Sequence, residues 1–398
     1  MTSVDHNRQL PRSLSAATAA DRALCATFFF LPVAKSAMFL SFALALALFA
    51  GAGGFAAARR DWRALPWSLP ALALAFLPLL SLAVHGEQAL DYLGLAYYWP
   101  AAFIVFFAAR AYDIRPWLRA FAAGVFVAFL HAQLTLTGLA GLPWQPSALA
   151  NYILYSQFVA LAIVVLSVLY RHEARRDLKI LYLLAMALFF VALLSGKGRS
   201  GLLAVVVLLP FIVLNLFPRV GALKMGLACL LAALAVVMSP HVQIRIEAAV
   251  NDVRLMQQEV RNTSLGYRAD MWHTAVDLVR ENPVLGAGGA GFKARWHSTP
   301  RTGQAVEFVE PHNAYLFFAS SYGLPGLAAL LWLYAALLRT GWKQRATTGG
   351  GMTLAFGVIC VVGSFTNTMF VGTASHMTMM LFIGLQGALL HEATEAGQ

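Results

Sequence analysis

The chain has 398 residues, 60% hydrophobic and only 12% charged, with a formal net charge of +11 and a mean hydropathy of +0.68. Soluble domains carry about 25% charged residues, so half that level over this length excludes an ordinary soluble enzyme and indicates a polytopic membrane protein. Nucleic acid is not an expected partner despite the positive balance, because the cations fall between apolar runs instead of forming a stretch that could follow a phosphate backbone.

An apolar run of about 20 residues crosses the hydrocarbon core as a helix. Twelve such spans are predicted, at residues 14–34, 36–57, 66–84, 92–109, 116–138, 150–170, 180–195, 200–217, 221–239, 313–338, 352–371 and 376–391. The first is the least regular, since Asp21 and Arg22 sit inside it and Pro32 and Lys35 close it. With the N-terminus in the cytoplasm, Arg59, Arg60, Arg63, Arg110, Arg115, Arg119, Arg171, Arg175, Arg176, Lys179, Arg219, Lys224, Arg339, Lys343 and Arg345 all fall inside. The short outside loops 85–91, 139–149 and 372–375 hold no Lys or Arg. That positive-inside pattern places both termini in the cytoplasm. The fold class expected is therefore all-α, with about twelve transmembrane helices and one large, mainly helical outside loop. Residues 1–239 would carry spans one to nine, 240–312 the loop layer, and 313–398 spans ten to twelve with a cytoplasmic tail. Cys25, Cys229 and Cys360 lie far apart in apolar segments and match no disulfide or zinc spacing.

Two outside segments depart from the charge pattern. The first is the hairpin Ser195-Gly196-Lys197-Gly198-Arg199-Ser200-Gly201, which keeps two cations against the topological bias. Glycines beside a cation let backbone amides and the charge approach one phosphate together, and Arg offers a planar fork suited to diphosphate oxygens. The alternative is cations snorkelling to lipid headgroups, but the other short outside loops lack them. The second is the long stretch from Pro240 to Pro311. Val242, Ile246, Val250, Val253, Met256 and Val260 recur at helical spacing and predict an amphipathic helix along the membrane surface. A second helix is predicted from near Ser264 to just before Pro283, with Arg268, Trp272, Ala275 and Val279 on one face, followed by the glycine-rich run Leu285 to Phe292.

Arg268, after Tyr267, opens that second helix, where free amides favour an anion; the alternative is a surface arginine paired with Asp270 or Glu310. His312 stands just before an apolar span, between Pro311 and Asn313. An imidazole there can take a proton from a sugar hydroxyl near neutral pH, with Glu310 in place to orient it; the alternative is an interfacial histidine that caps the helix. His85, with Glu87 and Asp91 in one short loop, is a lesser candidate for a base or a sugar contact, and His376 lies beside the last outside turn. No paired-carboxylate site or His/Cys cluster appears on that face, so neither a metal nor a cofactor is expected.

Three pieces in order, namely Gly196 to Leu203, Gly266-Tyr267-Arg268 through Glu281-Asn282-Pro283 to Gly288, and Pro311-His312-Asn313 on to Tyr322-Gly323-Leu324-Pro325-Gly326, resemble the O-antigen ligase and polymerase superfamily of bacterial envelope glycosyltransferases. The resemblance covers about residues 195–330 and is specific for the superfamily more than for a member. It implies a bacterial inner-membrane enzyme working at the periplasmic face. The donor would be an O-antigen glycan on undecaprenyl diphosphate and, for a ligase, the acceptor a sugar hydroxyl of lipid A–core, among membrane lipids. In that scheme Arg199 and Arg268 hold the diphosphate, Lys197 assists, and His312 deprotonates the acceptor. The ligase is favoured over a polymerase by the one large outside loop before the histidine, and over a protein O-oligosaccharyltransferase, which shares the motifs and the donor chemistry, because a longer chain with an extra C-terminal region is expected of that enzyme. A transporter trails, because the residues of interest sit at one face and no internal repeat is visible.

Overall fold

The computed structural model of the chain describes residues 14–53, 67–86, 94–136, 145–196, 198–299, 308–369 and 372–389. Its helices of eight residues or more among these residues, in order, are α1 (Leu14–Val33), α2 (Lys35–Gly51), α3 (Ser68–His85), α4 (Trp99–Ala111), α5 (Arg115–Leu136), α6 (Tyr152–His172), α7 (Arg176–Ser195), α8 (Arg199–Leu216), α9 (Ala222–Met238), α10 (Pro240–Gln257), α11 (Ser264–Glu281), α12 (Gly291–Ser298), α13 (Ala314–Lys343), α14 (Thr348–Ser364) and α15 (Thr373–Gly384). Each of the twelve apolar runs forms a helix. Length and apolarity sufficient to cross a membrane hold for five of them, α3, α5, α6, α7 and α13, or six if α9 and α10 form one span bent by 65°. Helices α2, α4, α8 and α14 are shorter, and 13 residues of α4 at 1.5 Å each cover about 20 Å of a core about 30 Å thick.

The bundle is organised around α6, whose side chains are buried along nearly the whole helix. Helices α5, α7, α8 and α14 pack against it, α1 packs on α2 and α5, and α13 lies between α14 and α3. A continuous apolar core runs through these helices, with Phe28, Trp117, Phe121, Phe158, Phe356 and Phe382 among its fully buried aromatics. Asp21, the irregular feature of the first apolar run, is accounted for here. Its carboxylate accepts the Trp117 indole N–H at 2.7 Å, so the polar group in α1 has a partner across the helix pair.

One irregularity in α13 positions everything above it. At Gly323 the backbone takes φ 71° and ψ −174°, a region open essentially to glycine, and the helix breaks. In an unbroken helix the Leu324 N–H would bond Ser320 O, and Ser321 O would face residue 325, which is proline and has no N–H. Leu324 N–H instead donates to Pro283 O at 2.8 Å. The two released carbonyls are taken by the glycine-rich run, Ser320 O by Ala287 N–H at 2.8 Å and Ser321 O by Gly288 N–H at 3.1 Å. The loop after α11 is thus hydrogen-bonded into the break of α13, and these three backbone groups at the break have partners.

Candidate functional site

His312 sits in the short extended link into α13, at the foot of the polar layer. Its φ is +48°, a left-handed conformation uncommon for a residue with a side chain. The turn is fixed from both sides, by Pro311 before it and by Asn313 after it. Asn313 Oδ1 accepts the Leu316 N–H at 3.1 Å, making Asn313 the N-cap of α13. The helix is therefore capped by the asparagine, and the histidine is free of that duty.

The His312 Nδ1 lies 3.2 Å from Glu310 Oε1. This is an ion-pair distance without the angle of a hydrogen bond, since Nδ1 makes none among the described residues. Glu310 is 7% exposed, and its Oε2 is buried with no hydrogen-bond partner among the described residues. A carboxylate oxygen thus lies beside Nδ1, the arrangement in which a carboxylate orients an imidazole. The His312 side chain keeps 25% of its surface, so it is accessible while its partner is not.

Aromatic contacts carry the imidazole into the layer. Phe308 meets the His312 ring edge-on at 5.7 Å, and Phe308 in turn packs on Tyr267 at 5.6 Å and Trp296 at 5.4 Å. Trp296 belongs to a small second core with Met271, Ala275, Leu278 and Phe292, built from α11 and α12. The sequence candidates Tyr267, Glu310, His312 and Asn313 are thus brought to one place. Arg268, half-buried, follows Tyr267 on the same helix.

The start of α11 differs from expectation. Its amides are not open to an anion: Gly266 N–H donates to the N-cap Thr263 Oγ1 at 3.1 Å, and Leu265 N–H to Asp252 Oδ2 at 3.2 Å. A carboxylate of the protein already holds that position. Asp270 is engaged by Arg261 at 2.6 Å.

At the hairpin the structure describes the glycines but not the two cationic side chains. Lys197 lies outside the described residues, and of Arg199 only the backbone is described, as the first residue of α8. Gly198 and Gly201 face α6 and not an open pocket. A Cβ on Gly201 would stand 2.0 Å from Ser156 O, and one on Gly198 2.4 Å from Ser156 Cβ. Ser156 Oγ accepts the Gly201 N–H at 3.2 Å and stands 3.2 Å from Ser200 Oγ. Close helix approach is what these glycines permit. A residue that the sequence did not single out joins the hairpin to the layer: Arg245 of α10 donates to Gly196 O. From there α10 packs on α11, and α11 on α13, which gives an indirect path to His312. Nothing in the local pattern marks Arg245 apart from the other arginines of its stretch.

His85 ends α3 with its ring against Gly288, whose added Cβ would come within 3.0 Å of it, and its Nε2 is buried without a hydrogen bond among the described residues. It borders the loop docked on α13. Its sequence companions Glu87 and Asp91 lie outside the described residues. His376 belongs elsewhere, stacked on Tyr98 at 4.9 Å with its Nδ1 3.2 Å from Gly372 O. Among the described residues no group of three or more His, Cys, Asp and Glu is placed to hold a metal ion.

These features define an all-α protein of membrane-crossing helices, with a polar helical layer that sets a histidine–carboxylate pair at the head of a broken helix. Residues 184–331, which contain the hairpin, α11 and His312, match the family model described as O-antigen ligase, and this supports the O-antigen ligase family as the chain's assignment. An uncharacterized protein of Haemophilus influenzae is 35% identical over 104 residues, 24% of this chain and 26% of the relative. The chain thus matches about a quarter of that relative's length.

Proposed function

We propose that this protein is an O-antigen ligase. It transfers a glycan from undecaprenyl diphosphate to a sugar hydroxyl of lipid A–core at the periplasmic face of the bacterial inner membrane. The observation that carries the reading is the His312–Glu310 pair, held at 3.2 Å by a turn whose helix cap is supplied by another residue. In the reaction, the acceptor oxygen bonds to the anomeric carbon from the face opposite the leaving group. The bond from that carbon to the phosphate oxygen breaks, undecaprenyl diphosphate departs, and the acceptor proton passes to His312 Nε2. Configuration inverts. Glu310 orients the imidazole and stabilises its charged form. Diphosphate is already a good leaving group, so the main demand is for fixed positive charge, which Arg199 and Arg268 supply with Lys197 assisting. Arg245 positions the hairpin that carries two of these cations.

The test is transfer by the purified full-length protein from a polyprenyl-diphosphate donor to lipid A–core in detergent, with chelator present. His312→Ala should abolish transfer with donor binding retained, and Arg199→Ala or Arg268→Ala should weaken donor binding. Full activity in His312→Ala would refute the base assignment. Lengthening of lipid-linked glycan without lipid A–core would identify a polymerase, with the second lipid-linked glycan as acceptor.

A further inference from the structure

At the opposite ends of α6, α8 and α13 from the hairpin and His312, about 25–30 Å away along α8, lies a cavity. Its volume is about 350 Å³, and Arg171, Phe211, Leu214, Pro218, Lys343 and Arg345 line it. Three cations and no carboxylate face this space. Among the described residues at this end of the bundle, Glu173 is engaged with Arg119, Asp177 with Arg175 and Asp113 with Arg115.

Cations at helix C-termini are common, because they meet unpaired carbonyls and the negative end of the helix dipole. Arg345 partly fits that account, donating to Trp342 O at 2.8 Å and lying over the Trp342 ring. Arg171 does not. Its Nη1 is 3.5 Å from the side-chain oxygen of Asn215, and Asn215 Nδ2 donates to Ser167 Oγ at 3.2 Å. Asn215 is 2% exposed and Ser167 fully buried. A buried amide and hydroxyl in otherwise apolar helices, spent on aiming one guanidinium, describe a built site more than a helix cap.

The surroundings specify the ligand. Leu214, Phe217 and Trp342 beside the cavity remain 37%, 61% and 60% exposed. Side chains of this kind are placed for acyl chains and the headgroup boundary. We propose that the cavity binds the phosphodiester of an anionic phospholipid, with Arg171, Lys343 and Arg345 around the phosphate and the acyl chains along Leu214 and Phe217. The site is separate from the candidate catalytic one and needs no assumption about the reaction.

Native mass spectrometry and thermal-shift measurements on the full-length protein, with phosphatidylglycerol, phosphatidylcholine and inorganic phosphate as probes, test this. Phosphatidylglycerol should be retained and should raise the melting temperature, and phosphatidylcholine should do neither. Each cation neutralised should weaken phosphatidylglycerol binding roughly five-fold, and Arg171→Gln/Lys343→Gln/Arg345→Gln on the order of a hundred-fold. If the triple variant does not fold in phosphatidylcholine, the exposed pair Lys343→Gln/Arg345→Gln is compared instead. Equal binding of the two lipids, or unchanged binding in the variants, would overturn the proposal. So would an equal thermal shift from millimolar inorganic phosphate alone, which would make the ligand a free anion.

Discussion

Replacing Gly323 by alanine tests the docking of the glycine-rich loop into the break of α13. Alanine at φ 71° and ψ −174° is strained by about 1–3 kcal/mol. Its Cβ would also stand 2.3 Å from Val284 O, so the strained backbone cannot be kept with the loop in place. The alternative is to release the loop, which gives up the bonds Leu324 N–H to Pro283 O, Ala287 N–H to Ser320 O and Gly288 N–H to Ser321 O. At about 1 kcal/mol each, the loss is about 3 kcal/mol. Local opening of the loop then becomes on the order of a hundred-fold more frequent. Hydrogen exchange followed by mass spectrometry in detergent reads this directly, as faster exchange in peptides covering 283–288 with α6 peptides unchanged. Gly226→Ala is the control, because a Cβ there meets nothing within 4 Å in a helix interior, and it should be neutral or stabilising by up to about 1 kcal/mol. Exchange of the 283–288 amides within a few-fold of wild type in Gly323→Ala would refute the reasoning.

Gly201→Ala should destabilise the α6–α8 contact by about 1–3 kcal/mol, seen as a lower melting temperature, because its Cβ would overlap Ser156 O. Asn313→Ala should cost about 1 kcal/mol of stability through the lost cap, and Asn313→Ser should retain both stability and transfer; loss of transfer in the serine variant would show that Asn313 acts in the chemistry. Glu281 is held below the usual glutamate range chiefly by its hydrogen bond from Arg295, which outweighs the opposing effect of burial, with that residue's charge a smaller help. A carboxyl lowered on folding contributes stability that is full above its unfolded pKa and is lost as pH falls through the folded one. Exchange protection of α11 and α12 should therefore drop on acidification below the ordinary glutamate range of about 4.3, and less so in Glu281→Gln.

The sequence made the helices plain because apolar length is a local property. All twelve runs became helices, and the start of α11 fell at Ser264 as expected, where Thr263 supplies a cap. Their partners were not local. Asp21 looked like a flaw in α1 until Trp117, 96 residues away in sequence, supplied its hydrogen bond. The hairpin glycines carried the same ambiguity. Glycine permits close approach to whatever is nearest, and the nearest group is the α6 backbone at Ser156. His312 and Glu310 were readable because both lie within four residues of the helix start. Arg245 was not, since its acceptor, Gly196 O, is fixed only when α10 folds back on α7. The cavity around Arg171 was equally hidden, its lining coming from three helices and two turns.

The break at Gly323 has a consequence for how a large substrate reaches His312. If the segment from Pro283 to Gly288 swung away, Ser320 O and Ser321 O would be stranded in an apolar bundle, without donors from their own helix. That segment is therefore fixed in place and not a gate. On the proposed reading, a lipid-linked donor reaches His312 from the side of α10 and the hairpin, where Arg245 donates to Gly196 O.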